Sequence, residues 1–319
     1  MFRSSSVRYR RTLFSLFVCA CFVAAPATAQ VSPWVDIEVY NGHVFVTTEI
    51  GGIPGLALID TGAEINSINT NFLDQAELSF AKSEKIKIAG VYGTEYRDVY
   101  REVPITLFGS ELRFNDLVGL ELGSPDVQMI IGAGFLKLFV FQFDYPNQRM
   151  RLITRDSIDM KAVSNVESRQ DRIGSSPIVK VRLNDEKDVW LLLDTGNNSG
   201  ILLDRSVARK QKWLKRFPLE QSASSGVFAS GSLEQLVLPT MKLGDFDIAD
   251  PVVSVPAKGQ ETEIFKERST TASRIKRTHK KSVGILGYDV LKHFVVTIDY
   301  ATGLVHVEAG QKAEEARVP

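Results

Sequence analysis

The chain has 319 residues, 38 basic and 38 acidic side chains, and 44% hydrophobic residues. That balance excludes nucleic acid or an anionic surface as the main partner, and the length allows two modest lobes, each with its own core. Two cysteines, Cys19 and Cys21, both near the start, argue against a disulfide scaffold.

Residues 1–11 hold four arginines and no acid, residues 13–24 are apolar, and Ala27-Thr28-Ala29 supplies small residues for a signal peptidase. This pattern predicts a secretory signal peptide over 1–29, with an apolar run too short for a comfortable membrane span. The protein is therefore expected to be periplasmic or secreted, with no stable membrane insertion after cleavage. Val18-Cys19-Ala20-Cys21 distantly resembles a lipoprotein box, which leaves anchoring at Cys21 as a minor alternative. Cleavage after Ala29 removes both thiols and four of the 38 basic residues, leaving 34 against 38 acids, a charge of about −4.

Strands are predicted over 34–40, 44–50 and 56–60, separated by Asn41-Gly42 and by Gly51-Gly52-Ile53-Pro54-Gly55. The third runs into Leu58-Ile59-Asp60-Thr61-Gly62-Ala63. Aspartate is depleted in strands and rarely buried unless paired, so an apolar strand ending on Asp implies a carboxylate held for a purpose. A short helix over 71–76 follows, then the glycine-punctuated Ala89-Gly90-Val91-Tyr92-Gly93-Thr94, which reads as a mobile hairpin. Ile130-Ile131-Gly132 leads through a short helix to Phe143-Asp144-Tyr145.

Residues 155–174 are polar and without periodicity, the expected connection between lobes. Then the series repeats. A hairpin over 178–193 ends in Leu192-Leu193-Asp194-Thr195-Gly196-Asn197, and a helix is expected near Arg205-Ser206-Val207-Ala208. The glycine-punctuated stretch is now Ser225-Gly226-Val227-Phe228-Ala229-Ser230-Gly231, and Ile285-Leu286-Gly287 leads to Ile298-Asp299-Tyr300. A basic insertion over 257–283 has no counterpart in the first copy; a solvated loop is its simplest reading. The divisions expected are thus 1–29, a first lobe over 30–154, the 155–174 linker, a second lobe over 175–308, and a tail over 309–319.

The ordered set of apolar-apolar-Asp-Thr-Gly turn, glycine-rich flap and Ile-Ile-Gly or Ile-Leu-Gly element resembles the retropepsin-type aspartic proteases. Two such units in one chain resemble the pepsin-like arrangement, over nearly all of residues 34–308. The resemblance implies a mainly β fold of two pseudo-symmetric acid-protease-type β-barrel lobes with a cleft between them. It implies an aspartic endopeptidase acting on extended protein or peptide substrates, with Asp60 and Asp194 as the catalytic pair and neither metal nor cofactor needed. Thr61, Gly62, Ala63, Thr195, Gly196 and Asn197 would support the catalytic loops, the two threonine hydroxyls bonding across to the opposite loop. Gly90, Tyr92, Gly93, Gly226 and Phe228 would form flaps over the substrate, with Tyr92 as flap tip or, as readily, an ordinary cross-strand aromatic. Ile131, Gly132, Leu286 and Gly287 would pack beneath the dyad.

Ala63 fits the retroviral pattern, while Asn197 fits neither branch well. One expectation is that the Asn197 amide donates to Asp194 and biases the shared proton toward Asp60; the other is a second site drifting away from catalysis. A peptide-binding module of the same fold without turnover is the alternative function. Other chemistries are poorly served: there is no Gly-x-Ser-x-Gly elbow, and His43, His279, His293 and His306 lack metal-ligand spacing, so each reads as a surface or packing residue. The sequon Asn197-Asn198-Ser199 lies directly behind the second turn, where a glycan would not fit, which favours a bacterial envelope or bacterial secretion. A monomer is expected, with a dimer also possible.

Overall fold

The computed structural model describes residues 30–89, 94–171, 176–225, 230–260 and 282–311, and it is mainly β. The expected signal peptide 1–29, the expected flap residues Gly90, Tyr92, Gly93, Gly226 and Phe228, residues 261–281 of the basic insertion and residues 312–319 of the tail lie outside that set.

Two ten-stranded sheets have the same strand order, position for position. The first runs Ala81–Ala89, Thr94–Arg101, Leu117–Leu120, Ser67–Asn69, Val127–Ile131, Ile53–Ile59, His43–Ile50, Val103–Leu107, Ser110–Phe114, with Glu38–Tyr40 paired onto His43–Ile50. The second runs Glu220–Ser225, Ser230–Val237, Val252–Pro256, Ile201–Leu203, Gly284–Leu286, Lys187–Leu193, Pro177–Leu183, Thr240–Leu243, Phe246–Ala249, with Ser168–Gln170 paired onto Pro177–Leu183. In both, the strand that ends at Asp60 or Asp194 lies beside a parallel partner, Val127–Ile131 or Gly284–Leu286. The parallel partners are buried on both faces and read as continuous apolar runs, while the Asp-bearing strands alternate buried and half-buried residues toward their ends.

The turn before the first Asp-bearing strand is shorter than the sequence pattern predicts. Only Gly51 and Gly52 separate the paired residues Ile50 and Ile53, and both glycines have positive φ, so Ile53, Pro54 and Gly55 belong to the strand. Pro54 is tolerated because this side of the strand is unpaired there. Leu56, two residues on and facing the same way, donates to Asp126, and the neighbouring strand pairs only from Leu56 onward.

A third sheet, ordered Val35–Asp36, Arg149–Ile153, Val140–Asp144, Phe294–Asp299, Leu304–Ala309, joins the repeats. Val140–Asp144 and Phe294–Asp299 run antiparallel with Gln142 opposite Thr297. Each of these residues stands 12 positions after the start of its own Ile-Ile-Gly or Ile-Leu-Gly element (142 − 130 and 297 − 285), so a local pseudo-two-fold passes through this pair. The Gln142 amide donates to Thr297 Oγ1 at 2.9 Å, satisfying polar groups that the sheet would otherwise bury.

One apolar cluster spans both repeats through this sheet. A line of aromatic contacts from Phe135 through Phe139, Phe141, Phe143 and Tyr145 reaches Tyr288 of the second repeat, with ring centroids 5.8 to 6.5 Å apart. Within the expected connection, residues 155–171 are more ordered than a plain surface loop. Asp159 caps a short helix, Met160–Val163, Met160 and Val166 are buried, and Ser168–Gln170 joins the second sheet. Two isolated apolar anchors among polar residues give no periodicity to read.

Candidate active site

Asp60 and Asp194 follow directly on the central strands and are fixed by backbone bonds to the parallel neighbour. The Asp60 amide donates to the Ile131 carbonyl and the Asp194 amide to the Leu286 carbonyl, each at 3.0 Å. The next residue of each neighbour, Gly132 or Gly287, passes so close beneath the turn that a methyl group would not fit. A Cβ on Gly132 would lie 2.4 Å from the Ile65 carbonyl oxygen, and one on Gly287 would lie 2.5 Å from the carbonyl oxygens of Asn197 and Ser199.

The two turns hold each other. Thr61 Oγ1 donates to the Leu193 carbonyl at 2.8 Å and accepts from the Thr195 amide at 2.9 Å. Thr195 Oγ1 donates to the Ile59 carbonyl at 2.6 Å and accepts from the Thr61 amide at 3.1 Å. Both threonines are 1% exposed, so these four bonds form away from water, where an unmade bond costs most.

This embrace sets the carboxylates side by side. A Cβ on Gly62 would meet the Asp194 carboxyl carbon at 2.6 Å, and a Cβ on Gly196 would meet that of Asp60 at 2.5 Å. Each carboxylate therefore lies over the glycine of the opposite turn, and the two share a hydrogen bond. Burial raises the pKa of both. For Asp60 the rise is opposed by hydrogen bonds from Asp194 and from the Gly62 and Ala63 amides, and by His43. For Asp194, burial is reinforced by the charge of Asp60 and by the hydrogen bond with it, and the rise is larger.

Asp60 Oδ1 accepts from Gly62 at 2.8 Å and from Ala63 at 3.0 Å, whereas Asp194 Oδ1 accepts from Gly196 at 2.8 Å and the Asn197 amide bears on that carboxylate only as a weaker second donor. Hydrogen bonds to a carboxylate favour its ionised form, so the single proton of the pair belongs preferentially to Asp194 and the charge to Asp60. That is opposite to the bias expected from Asn197, whose side chain does not make the predicted bond. Its Oδ1 accepts from Ser199 Oγ at 3.0 Å, turning the amide toward its own loop, and its buried Nδ2 has no hydrogen-bond partner.

Two residues stand at this site that the sequence pattern did not single out. His43, expected to be a surface or packing residue, is half-buried and acts electrostatically on Asp60. The Tyr300 phenol, 2% exposed, donates to the Thr61 carbonyl at 3.0 Å and shares a 2.9 Å hydrogen bond with Ser176 Oγ. Burial pushes that phenol's pKa well up, so it remains a donor. Counting along the hairpin would have found His43: Phe45 pairs with Leu58, and continuing two residues sets His43 opposite Asp60. No comparable signal marks Tyr300, which comes from 239 residues away.

Ala81–Ala89 pairs with Thr94–Arg101 and Glu220–Ser225 with Ser230–Val237, the arms of the two hairpins whose tips were expected to be flaps. Ile88 of the first hairpin packs with Leu58, Ala63 and Ile65 in a small apolar cluster beside the Asp60 turn.

Residues 46–135 match the model of a family described as aspartyl protease, a span that begins before the Asp60 turn and ends just after Gly132. No curated protein matches the chain.

Proposed function

We propose that this protein is an aspartic endopeptidase that hydrolyses peptide bonds of extended polypeptides, with Asp60 and Asp194 as a single dyad built from both repeats. One observation carries the reading: two Asp-Thr-Gly turns whose threonines bond across to each other and whose carboxylates share a hydrogen bond. The family match over residues 46–135 supports the chemistry for the first turn, and the repeated strand order extends it to the second.

The mechanism follows from the unequal surroundings of the two acids. Two like charges at contact resist joint ionisation, so the pair holds one proton over a wide pH range. Ionised Asp60 accepts a proton from a water lying between the carboxylates, and that water attacks the scissile carbonyl carbon. Protonated Asp194 gives its proton to the carbonyl oxygen, yielding a gem-diol. Collapse of this intermediate breaks the C–N bond as protonated Asp60 gives its proton to the amine nitrogen and Asp194 takes one back from a gem-diol hydroxyl, which restores the starting protonation for the next turnover. The Thr61 and Thr195 bonds keep the geometry from relaxing between steps. A peptide lying along the cleft as an extra strand, beneath the two long hairpins, would present alternate side chains to pockets on either wall.

Following the signal peptide read over 1–29, we place the enzyme in the periplasm or outside the cell, acting as one chain on protein or peptide substrates. The experiment is cleavage of a diverse peptide library by protein beginning at Gln30, from acidic to neutral pH, read by mass spectrometry beside Asp60→Asn and Asp194→Asn. The reading expects cleavage that a pepstatin-type inhibitor suppresses and that either substitution abolishes. Tight binding of an extended peptide by the unsubstituted protein without cleavage would overturn it in favour of a binding module.

A further inference from the structure

Taking the two carboxylates as one dyad, the sharpest difference between their surroundings is a side chain outside both Asp-Thr-Gly turns. His43 opens the strand His43–Ile50, directly after the Asn41-Gly42 turn. Both turn residues have positive φ, 50° and 76°, the geometry of a tight two-residue hairpin in which Tyr40 pairs with His43. The turn is wedged against the second repeat: a Cβ on Gly42 would lie 2.6 Å from the Asn198 carbonyl oxygen. The turn thus holds the imidazole between Asp60, which the hairpin register continued two residues past Phe45–Leu58 sets across from it, and the backbone of Gly196 in the opposite turn.

The ring's surroundings are defined. Asp60 is the charged group acting on it, and Asp194 bears on it through the hydrogen bond it shares with Asp60. The Gly196 backbone faces it from the second repeat, and Phe45 on the same strand meets it edge-on at 6.4 Å. Nδ1 is buried without a hydrogen-bond partner. The corresponding position of the second repeat is different in kind. There Ile178 pairs with Leu192, and continuing two residues sets Ser176 opposite Asp194, its hydroxyl bonded to Tyr300. Among the described residues, the tyrosines Tyr145 and Tyr300 also feel the pair, but the position opposite the acid carries an imidazole in the first repeat and a hydroxyl in the second.

We propose that His43 is a positioning residue of the dyad, resting on the aspartic-protease reading: held opposite Asp60 by the Asn41-Gly42 turn, its imidazole keeps Asp60 as the carboxylate that accepts the proton of the attacking water. The ring works through charge. Burial lowers its pKa, against the opposing pull of Asp60 and of the Gly196 carbonyl. At neutral pH it is uncharged and the dyad carries the one negative charge. As the pH falls, the ring takes a proton and places a positive charge beside Asp60, which holds Asp60 ionised to lower pH than it would be alone. His43 therefore extends activity on the acid side without touching substrate.

The test pairs kinetics with a spectroscopic readout. In His43→Gln, the acidic limb of the kcat/KM profile is expected to move up by about one pH unit, an approximately tenfold loss on that side, with the alkaline limb and KM little changed. In the NMR titration of ring protons, the resonance absent from His43→Gln identifies His43, and its midpoint should fall in Asp60→Asn, where the attracting charge is gone. Superimposable acidic limbs for wild type and His43→Gln, or a His43 midpoint unmoved by Asp60→Asn, would overturn the proposal. The NMR arm needs no turnover, so absence of cleavage by the wild type would count against the protease reading while the ring–carboxylate coupling is still judged by its own result.

Discussion

The two Asp-Thr-Gly turns share a backbone and differ in their side chains. Around Asp60, two amides approach one carboxylate oxygen, Ala63 closes the turn against an apolar cluster, the Asn66 side chain accepts from the Gly132 amide at 3.0 Å, and His43 stands opposite. Around Asp194 the Gly196 amide is close and the Asn197 amide a weaker second donor, Asn197 closes the turn, the Gly200 backbone carbonyl accepts from the Gly287 amide at 2.8 Å, and Ser176 stands where the imidazole would be. A duplicated scaffold supplies symmetric placement, but an acid and a base cannot be the same environment. The departures from symmetry raise one carboxyl further than the other, the difference on which the proposed division into acid and base rests.

The comparison can be broken where the two halves touch most closely. Gly196→Ala and Gly62→Ala each push a methyl into the opposite carboxylate, at 2.5 and 2.6 Å. Displacing either carboxylate should cost about 10²-fold or more in kcat, measured on the peptide identified from the library. Near-normal rates in either would mean that the carboxylates need not meet over the opposite glycines.

Thr61→Val and Thr195→Val test the symmetric part. Each removes one donated and one accepted bond and leaves a buried amide and carbonyl unmet, a loss of about 2–3 kcal/mol, or roughly 3–5 °C in melting temperature for a chain of this size. Their bonds mirror each other, so the two losses should be similar. Strongly unequal losses would place the weight of the junction on one repeat.

Asp194→Asn tests the asymmetric part through stability. The folded pKa of Asp194 lies well above its ordinary value of 3.8, chiefly because the group is buried. Below that ordinary value both folded and unfolded chains are protonated there and nothing is lost. As the pH rises from 3.8 toward the folded value, the unfolded chain ionises while the folded site keeps its proton, and stability falls; above the folded value the penalty is complete. Asp194→Asn should therefore melt higher than wild type at neutral pH, with the gain shrinking as the pH approaches 3.8, in calorimetry across pH. A gain independent of pH would contradict this account. The smallest effect is expected for Asn66→Ala, which removes an acceptor for the Gly132 amide at about 1 kcal/mol, by denaturant titration. Its positional equivalent, Gly200, uses a backbone carbonyl that no substitution removes.

How much of this was legible in the sequence follows from the range of the interactions involved. The duplication could be read because Asp-Thr-Gly and Ile-Ile-Gly or Ile-Leu-Gly are local, fixed by strand ends and close backbone approach. Positions such as Gly132 and Gly287 announce themselves because nothing larger fits. Pro54 misled in the other direction, since a proline argues against a strand unless its side of that strand is unpaired. Asn197 was read as a donor to Asp194, yet Ser199, two residues on, captures its acceptor oxygen, a competition that the residue type alone does not reveal. Tyr300 was out of reach, because its contact with Thr61 exists only once the third sheet has brought the end of the chain back beneath the first turn.

The central claim is that one chain completes one dyad from its two repeats, and complementation measures it most directly. Asp60→Asn and Asp194→Asn proteins are assayed singly and then after mixing and co-refolding, on the same peptide. The account predicts that each is inactive alone and that the mixture stays inactive, because neither chain retains both acids. Recovery of activity in the mixture, or full activity in Asp194→Asn alone, would contradict it and assign the working site to two chains.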